Sequence, residues 1–349
     1  MHRVSRRGFI SAAVTVIASP SLSSLKANQP KVPNVARCAA ETPYWLQASG
    51  TPGLTVALIE GGKTRDVLCF GSTDAQGRIP VTEATVFQAA SLSKQALLYA
   101  VLKTIEAGKL DLERPLIEYM KKPLNEPEAD LERITGRHVL THTTGWPNWP
   151  PDEGPLKRVA PLGQWGYSGA GFVYLQQVLE SIWDEPADKY IRRLVLDPLG
   201  MRESSFVWRD EYEKTATRGF DQSGTAVEPW HPDKVNGASS LHTTAKEYAL
   251  LLGAYLASDL RRLHPNVYSR QVKIDAQLGW SLGWGTADDA LWQWGHSNGF
   301  KTFSALVPAR GLGIVALANG AGGQRINREW VNAWLETSMP AFFFRSIEL

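Results

Sequence analysis

A serine hydroxyl is a poor nucleophile until a neighbouring group takes its proton. The stretch Ser91-Leu92-Ser93-Lys94 offers such a pair. Leu92, Ala96, Tyr99 and Ala100 recur at helical spacing, which predicts a helix starting near Ser91. On that helix Ser91 and Lys94 are i and i+3, neighbours on one face. A lysine amine can act as the base if burial or a nearby cation lowers its pKa. At a helix start the Ser91 backbone N–H has no partner within the helix and is suited to holding an oxyanion. The ordinary meaning of Ser-x-x-Lys is a surface helix with a solvated lysine. Here Phe87, Ala89, Ala90 and Leu92 surround the pair with apolar residues and argue for a buried one.

Other constellations compete. Gly295-His296-Ser297-Asn298-Gly299 matches the nucleophile elbow G-x-S-x-G, which needs a helix after the serine and a histidine later in the chain. Thr302–Val307 reads as a strand and no histidine follows His296, so Ser297 is not the expected nucleophile. His138 and His142 stand at i and i+4, but no third metal ligand is near, so both read as structural histidines. Gly166-Tyr167-Ser168-Gly169-Ala170-Gly171 lacks a P-loop lysine and a preceding apolar strand, so it is not read as a nucleotide loop. Neither a metal nor a cofactor is expected.

These residues need a frame. Leu54–Glu60 and Thr64–Phe70 flank Gly61-Gly62-Lys63 and read as a hairpin. Gly108 ends the Ser91 helix. Residues 111–136, with prolines at 115, 123 and 127, read as short helices and loops. The stretch from Trp146 to Pro161 is a loop, Phe172–Trp183 an amphipathic helix, 188–201 another helix, and Arg202–Pro232 irregular. Thr244 and Glu247 form a capping-box pattern opening a helix to about Ala257. Strands are expected at Leu278–Thr286, Leu291–Trp294, Thr302–Val307 and Gly313–Ala318, then a helix from Gln324 to Met339. With strands at both ends and helices between, the fold class is α+β. One antiparallel sheet, from about 40–90 and 276–349, is flanked by helices and carries an inserted helical region of about 91–275. The cleft between the two parts is the natural site.

The 349 residues are 43% apolar and 21% charged, globular values. Ser5-Arg6-Arg7-Gly8-Phe9-Ile10 resembles a twin-arginine export signal, so residues 1–27 are expected to direct export to a periplasmic or secreted location, leaving a mature domain of about 36–349. Without the four basic residues of that segment the formal net charge falls from +2 to −2, which gives no case for nucleic acid as a partner. Past the amino terminus no apolar run is long enough to span a membrane. Cys38 and Cys69 read as two separate thiols.

Ser91 with Lys94, then Tyr167-Ser168-Gly169, then His296-Ser297-Asn298-Gly299 stand in the order of three motifs of the serine β-lactamase and penicillin-binding-protein superfamily. The chain resembles its class C branch, which includes β-lactamases, D-amino-acid peptidases and carboxylesterases. The resemblance covers about residues 40–335. Phe87–Lys94, Gly108–Leu112, Leu140–Gly145, Pro198–Met201 and Ser240–Ala245 also look like family segments. It implies a β-lactamase/transpeptidase-like fold and a hydrolase working through an acyl-enzyme on a β-lactam, an ester or a D-amino-acid amide. The substrate would be a small molecule or a peptidoglycan-like peptide. A carboxylesterase without useful β-lactamase activity, or a penicillin-binding sensor that acylates without turnover, would share these motifs.

Residue by residue, the resemblance makes Ser91 the acylated group, with Lys94 easing its deprotonation. Tyr167 would carry the proton to the leaving group, and its phenol, ordinarily titrating near ~10, would need cationic help. His296 stands where class C β-lactamases carry the lysine of K-T-G. Ser297, beside Asn298, would bind substrate, and the Gly299 N–H would pair with that of Ser91 in an oxyanion hole. Gly169 stands where β-lactamases usually have the asparagine of Y-x-N.

Overall fold

The structure, a computed structural model, describes residues 34–122, 126, 129–150 and 155–343. The export-signal stretch 1–27 and prolines 123 and 127 lie outside the described residues.

The apolar run Leu54–Ile59 forms strand β1 (Gly53–Glu60), and Gly61-Gly62 turn it into β2 (Lys63–Gly71). Both turn glycines have positive φ, as a two-residue hairpin requires. A short pair, β3 (Phe87–Gln88) with β4 (His242–Thr243), ties the Ser91 segment to the middle of the chain. The carboxyl-terminal third supplies β5 (Val272–Lys273), β6 (Leu278–Trp280), β7 (Gly285–Ala287), β8 (Ala290–Ser297), β9 (Phe300–Val307) and β10 (Leu312–Ala318). The sheet order is β2-β1-β10-β9-β8-β7-β6-β5, and every neighbouring pair is antiparallel. The expected sheet from both chain ends is therefore present.

Every residue of β10 and all of β1 except Glu60 are buried, so the middle of the sheet is covered on both faces. Leu54, Val56 and Leu58 pack in the core that also holds Cys38, Leu46 and Trp330. That core belongs to helix α1 (Val35–Ser49) and the last helix, Gly323–Leu335, joined by a hydrogen bond from Trp330 Nε1 to Thr42 Oγ1 (3.0 Å). Ala57 and Ile59 belong to the opposite core, with α2 (Ser93–Glu106) and the helix Ala245–Leu256. Truncating a buried tryptophan such as Trp330 to alanine removes about 3–5 kcal/mol. The inserted region adds α3 (Gly136–Leu140), α4 (Gly169–Trp183) and the helical run 187–199, whose middle, Arg192–Leu196, widens to a π turn. Cys38 and Cys69 are both free thiols.

Three local expectations need correction. The strand expected over 278–286 is two strands. Gly283 takes positive φ, its N–H donates to Leu140 O (2.8 Å), and its carbonyl accepts from Gln95 Nε2 (2.8 Å), so the chain breaks to plug against α2. Thr244 caps its helix by accepting from Glu247 N (3.1 Å), but the Glu247 carboxylate does not complete the box. It accepts instead from the Glu203 N–H (2.9 Å) and Ser204 Oγ (2.6 Å), anchoring the irregular segment. The last helix ends at Leu335, four residues before Met339.

Candidate active site

Ser91 lies in a 3-10 turn, Ala90–Leu92, immediately before α2. Ala90 has φ 49°, a left-handed conformation that costs a residue with a Cβ about 1–2 kcal/mol. Several bonds hold the turn. Ala89 N donates to Leu241 O (2.8 Å), and the Ala89 carbonyl accepts from Thr302 Oγ1 (2.9 Å). Ser93 Oγ donates to Ala90 O (2.6 Å) and accepts from Leu241 N (2.9 Å), so the second serine of the motif is part of the scaffold. Strand β8 crosses behind at Gly295, where a Cβ would stand 2.6 Å from Ala89 O.

The i, i+3 spacing delivers the expected contact: Lys94 Nζ donates to Ser91 Oγ at 3.0 Å and to Ala238 O at 2.9 Å. The lysine is 1% exposed. Its surroundings are the rings of Tyr167 (4.9 Å to the centroid) and Phe172 (5.6 Å). Burial pulls its pKa down to about 7. A lysine so lowered carries a neutral amine, able to accept a proton, in part of the molecules at neutral pH.

Tyr167 arrives from the loop before α4. Ser168 caps that helix by accepting from Gly171 N (3.1 Å) and is tied down by donating to Pro147 O (2.8 Å). The Tyr167 oxygen accepts a hydrogen bond from Gln293 Nε2 at 2.8 Å. Burial outweighs that donor and the nearby Ser91 hydroxyl and raises its pKa above the ordinary phenol range, so the phenol is protonated. Its ring packs on His142 (4.4 Å) and Trp294 (4.7 Å). His142 accepts from Ser168 N at Nδ1 (3.0 Å). Burial, reinforced by Lys94, keeps its pKa well below the usual histidine range. The other member of the i, i+4 pair, His138, caps α3 together with Thr135. Both histidines are thus engaged in holding backbone.

The third motif ends β8 and turns at Asn298-Gly299 directly into β9, so Ser297 has a strand after it and not the helix of a nucleophile elbow. His296, Ser297 and Asn298 line a cavity of about 470 Å³ together with Trp149, Trp208 and Trp230. Ser297 Oγ is buried without a hydrogen-bond partner. Gly299 sits in the turn against the Gly219-Phe220 backbone, its carbonyl accepting from Phe220 N (3.3 Å). Strand β8 meets the Ser91 turn at Gln293 and Gly295, among other contacts. Gly169 donates its N–H to Asn148 Oδ1 (2.9 Å), and a Cβ there would stand 2.9 Å from the Trp149 ring.

The structure therefore brings Ser91, Lys94 and Tyr167 together, Lys94 bonded to Ser91 and packed on the Tyr167 ring, and sets His296, Ser297 and Asn298 on a neighbouring wall. Sequence reasoning missed Gln293 and the pairing of Trp149 with Gly169. Gln293 left one signal, a lone amide inside the apolar run Leu291–Trp294.

The described geometry can be set beside known proteins. Protein flp of Staphylococcus aureus (strain MRSA252) is 22% identical over 320 residues, covering 83% of this chain, and the chain spans only 63% of that relative's length. A class C β-lactamase superposes with a TM-score of 0.73 at 20% identity, over 86% of this chain and 95% of that one. The D-alanine carboxypeptidase AmpC from Burkholderia cenocepacia does so with 0.72 at 19%, over 86% and 97%. At such identities the structural likeness speaks for the fold. The family model described as Beta-lactamase matches residues 36–337, and on that match the chain belongs to the β-lactamase family.

Proposed function

We propose that the protein is a serine hydrolase that forms an acyl-enzyme on Ser91. The observation that carries this reading is the 3.0 Å contact between Ser91 Oγ and a buried Lys94 whose pKa is lowered to about 7. The neutral amine takes the Ser91 proton as Oγ attacks the carbonyl carbon. Tyr167, a protonated phenol beside Ser91, gives its proton to the leaving group. Water attacking the acyl-enzyme uses the same two groups in reverse. The Ser91 N–H, at the start of α2, faces the developing oxyanion with a second donor from the edge of β8.

Within that class, a carboxylic ester with an apolar acyl group suits the cavity best. Any side chain at position 169 would collide with Asn148 and Trp149, so the indole stands where a residue-169 side chain would enter the site. Trp149, Trp208 and Trp230 give the cavity aromatic contact area, beside the polar groups of Gln88, Arg218, Asn236 and Asn298. The solved structures named above are a class C β-lactamase and a D-alanine carboxypeptidase, so the assay sets both of those chemistries beside ester hydrolysis. Purified protein and Ser91→Ala are compared on nitrocefin, short p-nitrophenyl esters and D-alanyl amides. The expected result is ester hydrolysis lost in Ser91→Ala. A fluorescent penicillin that forms a lasting adduct, with no turnover on any substrate, would make the protein a sensor instead. Export is proposed from Arg6-Arg7 alone. It is tested by following a fused reporter with Arg6 and Arg7 replaced by lysine, which should stay inside.

A further inference from the structure

Lys94 Nζ stands over the Tyr167 ring, 4.9 Å from its centroid, and the described donor to the phenol oxygen is a neutral amide. Gln293 is fully buried on β8, and its Nε2 donates to the Tyr167 oxygen at 2.8 Å and to Trp294 O at 3.1 Å. Ser91 O lies a longer 3.4 Å away. The amide cannot be reversed: Trp294 O and Ser91 O are acceptors only, and the opposite orientation would set Oε1 against both. The Gln293 Oε1 is meanwhile buried without a partner. Burying an amide half-satisfied costs stability that a leucine on this apolar strand would not. We infer that Gln293 is a positioning residue for the reaction: it holds the Tyr167 oxygen beside Ser91 and stabilises the phenolate that forms when Tyr167 gives up its proton.

The inference rests on the acyl-enzyme reading and makes its proton balance explicit. As the Ser91 Oγ–carbon bond forms, the hydroxyl proton passes to Lys94. As the carbon–leaving-group bond breaks, its electron pair goes to the leaving oxygen, which takes the Tyr167 proton. The site then holds a Lys94 ammonium and a Tyr167 phenolate, until the ammonium proton returns to the phenolate. During that interval the charged oxygen needs a donor, and the Gln293 N–H already points at it. A neutral donor also leaves Lys94 without a second positive charge next to it.

The test varies the leaving group. An ethyl ester needs a proton on its departing oxygen; a p-nitrophenyl ester of the same acid leaves without one. Gln293→Leu keeps the apolar strand and removes the donor. The expected result is a fall in kcat/KM, which reports acylation and not the deacylation that both esters share, on the order of 10- to 100-fold on the ethyl ester and less than about 3-fold on the nitrophenyl ester. The nitrophenyl rate doubles as the control for folding; should Gln293→Leu fail to fold, Gln293→Met provides the same comparison. Equal losses on both esters, or no loss on either, would overturn the inference. Tyr167→Phe is run alongside. If that variant itself ignores the leaving group, the role of the phenol is wrong, a failure separate from that of Gln293.

Discussion

The site has two walls, the Ser91, Lys94 and Tyr167 group and the face of the adjoining cavity that carries His296, Ser297 and Trp149, and they are built differently. On one, Ser91, Lys94 and Tyr167 are locked together: Lys94 Nζ has two acceptors within 3.0 Å, and the phenol oxygen has a donor at 2.8 Å. On the other, Trp149 and Trp230 are 44% and 40% exposed, and Ser297 Oγ has no partner at all. A proton can move only along preset contacts, so the first wall is fixed before substrate arrives. The second is anchored by β8 and by the stacking of Trp208, but leaves Trp149, Trp230 and the Ser297 hydroxyl open to a substrate. Chemistry is thus invested in short-range spacing and selectivity in loops remote from one another in the chain.

The sharpest way to break this division is to exchange the serines. Ser91→Ala should lower kcat on a p-nitrophenyl ester by at least about 10³-fold with an unchanged melting temperature, whereas Ser297→Ala should cost less than about 10-fold. If Ser297→Ala alone were inactive, the walls would have been assigned the wrong way round.

Lys94→Met should be just as inactive, and more stable than the parent. The pKa of Lys94 in the fold is about 7, below the ordinary 10.5 it regains on unfolding. Between those values the unfolded chain holds a proton that the folded chain does not, so this group destabilises the fold fully below about pH 7 and progressively less as pH rises toward 10. Melting curves of the two proteins should therefore differ most near pH 7 and converge at high pH. A gap that widened with pH would contradict a buried, neutral amine. In the parent, kcat/KM should rise through an apparent pKa near 7 as Lys94 loses its proton. Beside Lys94, His142 is held well below the usual histidine range and Tyr167 above the usual phenol range, so neither titrates near pH 7.

The same division explains what could be read in advance. Ser91 and Lys94 were legible because a helix repeats every few residues, so spacing alone makes them neighbours. The sheet was legible because strand runs such as Leu54–Ile59 and Gly313–Ala318 are short, apolar and bounded by glycines. What escaped depends on contacts between distant segments. Glu247 left its cap for Ser204, Gly283 broke a strand by docking on α2, and Trp149 took the space that Gly169 leaves open. Gln293 sits 126 residues from the phenol it serves, and its place among aliphatic and aromatic neighbours gave no hint of that partner.

Replacing Trp149 probes the open wall. Trp149→Ala should reduce kcat/KM for an ester with an aromatic acyl group on the order of 10-fold and leave an acetate ester within about 3-fold. Equal losses on both would mean that the indole supports the Tyr167 loop through Asn148 and Gly169 and takes no part in choosing substrate.

The smallest expected effect lies in the turn that presents Ser91. Alanine at position 90 pays for a left-handed backbone, yet nothing in its chemistry announces that conformation. Ala90→Gly removes a strain of about 1–2 kcal/mol and, by loosening the unfolded chain, gives back roughly 0.4–1 kcal/mol. The variant should therefore melt slightly higher. Its kcat should fall a few-fold, because the same freedom lets Ser91 leave the position from which it meets Lys94 and Tyr167 together. A rise in stability with no loss of rate would show that the hydrogen bonds of Ser93 and Thr302 hold the turn unaided. A fall in stability would show that the Ala90 methyl, packed close to Gly295, contributes more than its backbone costs.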